Sequence, residues 1–269
     1  MIDTKTPLVS VRDVSFSYGY ESVLKDVSLD IYATDYLAII GPNGGGKTTL
    51  LKIILGLLKP DAGKIIWSGN SARRQIGYVP QFATFEREFP LSVRDVVLMG
   101  RMGGHLWWQK VSERDQDLTT DILQKLGLDA LSDKPVGQLS GGQMQRVMIA
   151  RALVCKPDIL FLDEPIASID AGSRFKLSSM LTELNKNIPI VVITHDITSF
   201  ASNVLHIACV NHTLYYHGDA ELASGSLEEA YGCPVELVAH GVPHRVLQDH
   251  ADHSGAGCVH HGSTKPNPN

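Results

Sequence analysis

The chain has 269 residues, with 24 Lys+Arg against 29 Asp+Glu and a formal net charge of -5. At about 150 residues per folding unit this length makes two domains or one large α/β unit, and 43% apolar residues suffice for a sizeable core. The mild acidity excludes a stand-alone nucleic-acid binder, no apolar run approaches the ~20 residues of a membrane span, and the opening MIDTKTPLVS is not a signal peptide.

No repeat of about 20–50 residues is visible, so solenoids and propellers are excluded. Leu8–Phe16 alternates apolar and polar residues and reads as a strand with a bulge. Val27–Ile31 reads as a second strand, and Tyr36–Ile40 as a short apolar strand ending at Gly41. A Gly-rich stretch then opens a helix over Thr48–Leu58, stopped by Pro60. Ile65–Trp67 and Gly77–Val79 are further short strands. From about Phe82 to Cys155 the pattern turns helical. Ser92 can cap a helix through Met99. Ser112 can cap Glu113–Leu126, with Leu118, Ile122, Leu123 and Leu126 on one face and Gly127 closing it.

A helix over Met144–Val154 halts before Pro157. Ile159–Leu162 and Ile190–Ile193 are apolar strands around a helix over Ala171–Lys186, with Asp170 as N-cap. That βαβ unit implies a parallel sheet covered on both faces. Val204–Val210 and Leu214–His217 flank Asn211-His212, a hairpin turn. Beyond Ala239 the chain becomes polar and rich in Gly and Pro, a composition that predicts disorder at its end. The four cysteines, Cys155, Cys209, Cys233 and Cys258, form no CxxC pair and read as reduced thiols, with buried places for Cys155 and Cys209.

Three motifs carry chemistry. Gly41-Pro-Asn-Gly-Gly-Gly-Lys47-Thr48 fits GxxxxGK[ST] after a strand and before a helix. Glycines let successive N–H groups turn inward around phosphate oxygens, Lys47 brings charge to the β and γ phosphates, and Thr48 offers a hydroxyl to Mg²⁺. Composition alone produces such a match in on the order of 1% of chains this long. Leu139-Ser-Gly-Gly-Gln143 opens a second helix N-terminus with a glycine pair. Ile159-Leu-Phe-Leu-Asp163-Glu164 is an apolar strand ending in two carboxylates. Asp163 is placed to hold Mg²⁺ through its water shell, and Glu164 to polarise an attacking water.

Together, in this order, these motifs resemble the ATP-binding cassette ATPases, and specifically the nucleotide-binding subunit of an ABC transporter. The resemblance runs from about Leu8 to Gly218. It implies an α/β P-loop NTPase core with a mostly parallel sheet, an antiparallel β subdomain and a helical subdomain at about 82–155. The ATPase domain would span 7–235, and a His-rich extension 236–269. ATP would be held by Tyr18 against adenine, by Gly41, Pro42, Asn43, Gly44, Gly45, Gly46, Lys47, Thr48 and Thr49, by Ser140, Gly141, Gly142 and Gln143, and by Asp170 of the D-loop. Mg²⁺ would be held by Thr48, Gln81 and Asp163. Gln81, in Tyr-Val-Pro-Gln, matches the Q-loop glutamine, and His195, in Ile-Thr-His-Asp, the switch histidine. Lys47, Gln81, Glu164 and His195 would be the catalytic groups. Small departures, such as GPNGGGKTT and Ile169 in the D-loop, remove no catalytic group.

The resemblance further implies a two-fold homodimer, with each ATP between one phosphate loop and the partner's LSGGQ. It implies separate membrane permease subunits, an extracytoplasmic metal-binding protein, and a peripheral place on the cytoplasmic face of the cell membrane. No nucleic-acid partner is expected. Phe89–Arg101 and Val242-Pro-His-Arg-Val-Leu247 are similar to segments of zinc and manganese uptake systems. Iron–siderophore importers are related here, and a soluble ATPase for iron–sulfur cluster assembly is the alternative of another class. Leu106-Trp107-Trp108 either faces the membrane subunit or packs in the core. Six of the 11 histidines lie at or beyond His240, together with Cys258. Pairs His240/His244 and His250/His253 would share a helix face, so the tail is either a metal site or a solvated tail.

Overall fold

The computed structural model describes residues 6–69, 74–81, 90–101, 111–166, 169–195 and 204–219. The Leu106–Trp108 segment, Cys233, Cys258 and the histidines from His240 onward lie outside the described residues, as does Phe89 of Phe89–Arg101. Two sheets form the framework. Strands β1 (Val9–Tyr18), β2 (Glu21–Ile31) and β4 (Ala62–Trp67) make an antiparallel sheet in the order β2-β1-β4. Strands β3 (Tyr36–Ile40), β5 (Ile76–Val79), β6 (Ile159–Asp163), β7 (Ile190–Thr194), β8 (His206–Asn211) and β9 (Thr213–Asp219) make a second sheet, ordered β5-β6-β7-β3-β8-β9. All neighbours in it are parallel except β8 and β9.

The apolar strands explain the layering. Ala38, Ile40, Leu160, Leu162, Ile190 and Val192 face one side of the large sheet. There they pack against helices α2 (Val93–Leu98), α3 (Glu113–Lys125), α4 (Gly141–Leu153) and α5 (Ala171–Asn185). Leu37, Ile39, Ile159, Phe161, Val191 and Ile193 face the other side. They meet Leu50, Leu51, Ile53 and Ile54 of helix α1 (Lys47–Ile54), and Val9, Val11 and Leu29 of the antiparallel sheet. Alternation along each strand thus feeds two cores at once, as a sheet covered on both faces requires.

The expected elements recur with informative differences. β2 starts at Glu21, six residues before Val27, because Asp26 at φ 50 bulges the strand and breaks its alternation. α1 ends at Ile54, ahead of Pro60. Gly56 at φ 74 closes it as a left-handed cap, with the Gly56 and Leu57 N–H groups on the carbonyls of Ile53 and Lys52. α4 starts at Gly141, inside the glycine pair, three residues before Met144. The caps proposed at Ser92, Ser112 and Asp170 all form, each accepting from a backbone N–H three residues on. Cys209 is buried and Cys155 half-buried, and both are free thiols. No helix among the described residues is long and apolar enough to cross a membrane.

Phe161 is fully buried at the centre of the core between β6 and α1. Phe161→Ala should lower unfolding free energy by about 3–5 kcal/mol, measured by chemical denaturation. A loss within experimental error would show that this core collapses around the gap.

Candidate active site

The phosphate loop leaves the carboxyl end of β3, where neighbours β7 and β8 approach from opposite sides. This is the switch point at which α/β sheets build sites. Its glycines are needed for space. A Cβ on Gly41, at φ 149, would stand 1.9 Å from the Val210 carbonyl oxygen. One on Gly46, at φ 90, would stand 2.6 Å from Leu24 Cδ2. The loop is therefore pressed between β8 and β2, and Gly46 becomes the N-cap of α1.

Lys47 is only 6% exposed. Its Nζ donates to the carbonyls of Gly41 at 2.9 Å and Pro42 at 2.8 Å, which keeps the ammonium beneath its own loop. Burial pushes its pKa down, while the charges of Glu164 and Asp163 push it up. Asp163, at the end of β6, is 2% exposed. It accepts from Thr48 Oγ1 at 3.2 Å. Burial raises its pKa, against the Thr48 hydrogen bond. Thr48 and Asp163 are hard oxygen donors side by side, the set that Mg²⁺ takes with water completing its shell.

Glu164 follows in a left-handed conformation, φ 49, rare for a residue other than glycine. Its N–H donates to Ile193 O at 2.8 Å, so the turn is fastened to β7. That turn brings its 6%-exposed carboxylate to His195, 31 residues away. The His195 N–H reaches Oε1 at 3.1 Å, and Nδ1 lies 2.9 Å from both carboxylate oxygens. Carboxylate oxygens accept, so Nδ1 is the donor of this contact. The two residues thus meet at the ends of β6 and β7, beside Lys47 and Asp163.

The remaining residues sit where their elements carry them. Tyr18 ends β1, 51% exposed, with Phe16 edge-on at 4.9 Å. Gln81 lies two residues beyond Val79, and Glu164 two beyond Leu162, on paired parallel strands. Ser140 caps α4, accepting from the Gln143 N–H, while the Gln143 side chain accepts from the Ser140 N–H at 3.0 Å. A Cβ on Gly142 would stand 2.8 Å from Ser173 in the first turn of α5, next to the Asp170 cap. Among the described residues, no hydrogen bond joins this signature turn to the phosphate loop.

Residues 24–167 match the family profile described as "ABC transporter". The chain belongs to the ABC transporter family. The matched stretch covers both the phosphate loop and the β6 carboxylates. A metal transport system ATP-binding protein of Chlamydia muridarum is 40% identical over 196 residues, 71% of this chain and 83% of its own. A zinc import ATP-binding protein of Hydrogenovibrio crunogenus is 31% identical over 97% of this chain and 99% of its own. Among solved structures, a metal-chelate type ABC transporter in an inward-facing conformation is 30% identical, with a TM-score of 0.77. That likeness covers 86% of this chain and 91% of the other.

Sequence reading missed the residues that hold this ABC site from behind. Val210, His212 and Val23 contact the phosphate loop through backbone groups, and nothing in their residue types announces it.

The raised Asp163 pKa has a sign that can be tested. The folded state holds the proton more tightly than the unfolded one, so stability falls as pH rises through the interval from the ordinary carboxylate value to the raised one. Asp163→Asn should flatten this fall of the nucleotide-free protein's thermal midpoint with pH, and should lose Mg²⁺-dependent ATP turnover. A variant whose midpoint falls as steeply as the parent's over that interval would remove Asp163 as its source.

Proposed function

We propose that this ABC ATPase hydrolyses Mg²⁺-ATP to power import of a transition-metal ion, zinc or manganese, through a separate membrane permease. The observation that carries the hydrolytic part is Glu164 held against His195 at the strand ends beside buried Lys47 and Asp163. The cargo rests on the metal-transport relatives and on the likeness of Phe89–Arg101 to zinc and manganese uptake systems.

The reaction is in-line attack of water on the γ-phosphate. Lys47 offers its remaining N–H, since two of its three donors are on loop carbonyls. The loop amides and the start of α1 add donors around the phosphates. Glu164 orients and polarises the water, with its carboxylate fixed by His195. Gln81, two residues past β5, reaches the same strand-end level. Bound Mg²⁺, held by Thr48, Asp163 and Gln81, would neutralise charge on the β and γ oxygens. Positioned donors of this kind are each worth about 10²–10³ in rate.

Among the described residues, no hydrogen bond joins the signature turn to the phosphate loop of the same chain. This supports a two-fold dimer in which Ser140, Gly141, Gly142 and Gln143 complete the partner's site, with Tyr18 on adenine and Asp170 at the interface. Permease subunits place the dimer on the cytoplasmic face of the cell membrane, and an extracytoplasmic protein delivers the metal. We assign residues 7–235 to the ATPase domain, with the helical subdomain at 82–155, and residues 236–269 to an extension.

Glu164→Gln should retain ATP binding, lose nearly all turnover and accumulate as an ATP-bound dimer in size-exclusion chromatography. Near-normal turnover would remove Glu164 from the reaction.

The histidines of the extension make either a metal site or a solvated tail. No group of three or more His, Cys, Asp or Glu among the described residues is placed to hold a metal ion, while the extension carries six histidines and Cys258. Zn²⁺ titration of the full chain should show a stoichiometry that drops when residues 236–269 are removed. Unchanged stoichiometry and affinity would refute a tail site.

A further inference from the structure

The turn between β8 and β9 takes no part in the chemistry above, yet its polar groups are engaged with the phosphate loop. His212 is at φ 60, a left-handed conformation that Gly or Asn adopts at lower cost. The residue is exposed, so packing does not offset that cost. Three hydrogen bonds do. Its N–H donates to the Gly45 carbonyl at 3.0 Å, and its own carbonyl accepts from the Lys25 N–H at 2.8 Å. Its Nδ1, facing an oxygen that can only accept, donates to the Val23 carbonyl at 3.2 Å. The Val23 oxygen in turn lies 2.9 Å from where a Cβ on Gly46 would stand. One exposed residue therefore ties the middle of the phosphate loop to β2.

The bond to Gly45 has a directional consequence. A trans peptide points its C=O and N–H to opposite sides, and no peptide bond in the described chain is cis. Fixing the Gly45 carbonyl toward the hairpin turns the Gly46 N–H away from it, the same N–H that the glycine pattern offers to a phosphate oxygen. Without the His212 bond, a peptide between two glycines has less to hold its orientation.

We propose that His212 is a positioning residue for nucleotide binding, holding the Gly45–Gly46 peptide so that the Gly46 N–H is aimed before ATP arrives. The proposal rests on the phosphate loop being the ATP site. It predicts an effect on affinity with little effect on the chemical step, because Glu164 and His195 lie on other strands.

The test is equilibrium binding of a fluorescent ATP analogue to the full chain, with KM and kcat for ATP measured alongside. His212→Val, which resists the left-handed conformation, should weaken binding and raise KM about tenfold, with kcat within about twofold. His212→Asn, which tolerates that conformation and keeps an amide donor, should restore both to near the parent values. A folded His212→Val protein with parental affinity, or one that loses kcat and KM together, would overturn the proposal. Should His212→Val not fold, His212→Gly decides: it keeps the conformation and the backbone bonds but loses the tie to Val23. About threefold weaker binding supports the role, and unchanged binding overturns it. Lys47→Ala separates the two levels. If it still binds the analogue, the phosphate loop is not the ATP site and both readings fall. If it does not, a silent His212 removes this inference alone.

Discussion

A lysine ammonium buried beneath its own loop is the constraint on which the site depends. Taking Lys47 out of water is tolerable only because two loop carbonyls lie within hydrogen-bond reach and two buried carboxylates stand opposite. The carbonyls can turn inward only where the backbone takes up conformations that side chains resist, at Gly41 and Gly46. The carboxylates can stand opposite only if β6 lies two strands from β3, with β7 between them. Sheet order, loop geometry and charge placement are thus one requirement seen at three scales.

The same constraint explains where strain is kept. Glu164 occupies a costly backbone region at the moment the chain leaves β6. An extended continuation would project its carboxylate off a face of the sheet. The left-handed turn instead hands its N–H to Ile193 and brings its side chain under His195. Two strands with no sequence proximity are fastened at the point where a reacting water would be aligned. Rigid parallel strands supply the precision, and the strained turn supplies the direction.

Much of this was legible in the sequence because local signals and global fold agree. Apolar runs gave the central strands to within one residue, and Ser92, Ser112 and Asp170 cap the helices they were expected to start. Legibility failed where the decisive partner is distant. The first half of β2 is held by pairing with β1 across bulges, so its own alternation is blurred. The end of α1 is set by a glycine cap one turn before the more conspicuous proline. In the site, the motif residues announced themselves by type and spacing. Their meeting partners did not: Glu164 and His195 are joined by the β6–β7 register, and Gly45 and His212 by the β3–β8 register. Backbone carbonyls carry no residue-type signal at all.

The contact between Gly142 and Ser173 leaves no room for a methyl group. The first turns of α4 and α5 are therefore geared together: a tilt of the signature helix must either carry the Asp170 cap with it or open a gap in a tightly filled seam. In the proposed two-fold assembly those two turns would serve the neighbouring site. Each cassette would then report its helical posture to the opposite ATP through two adjacent contacts moving in step, and a glycine too small to act chemically sets the gear ratio.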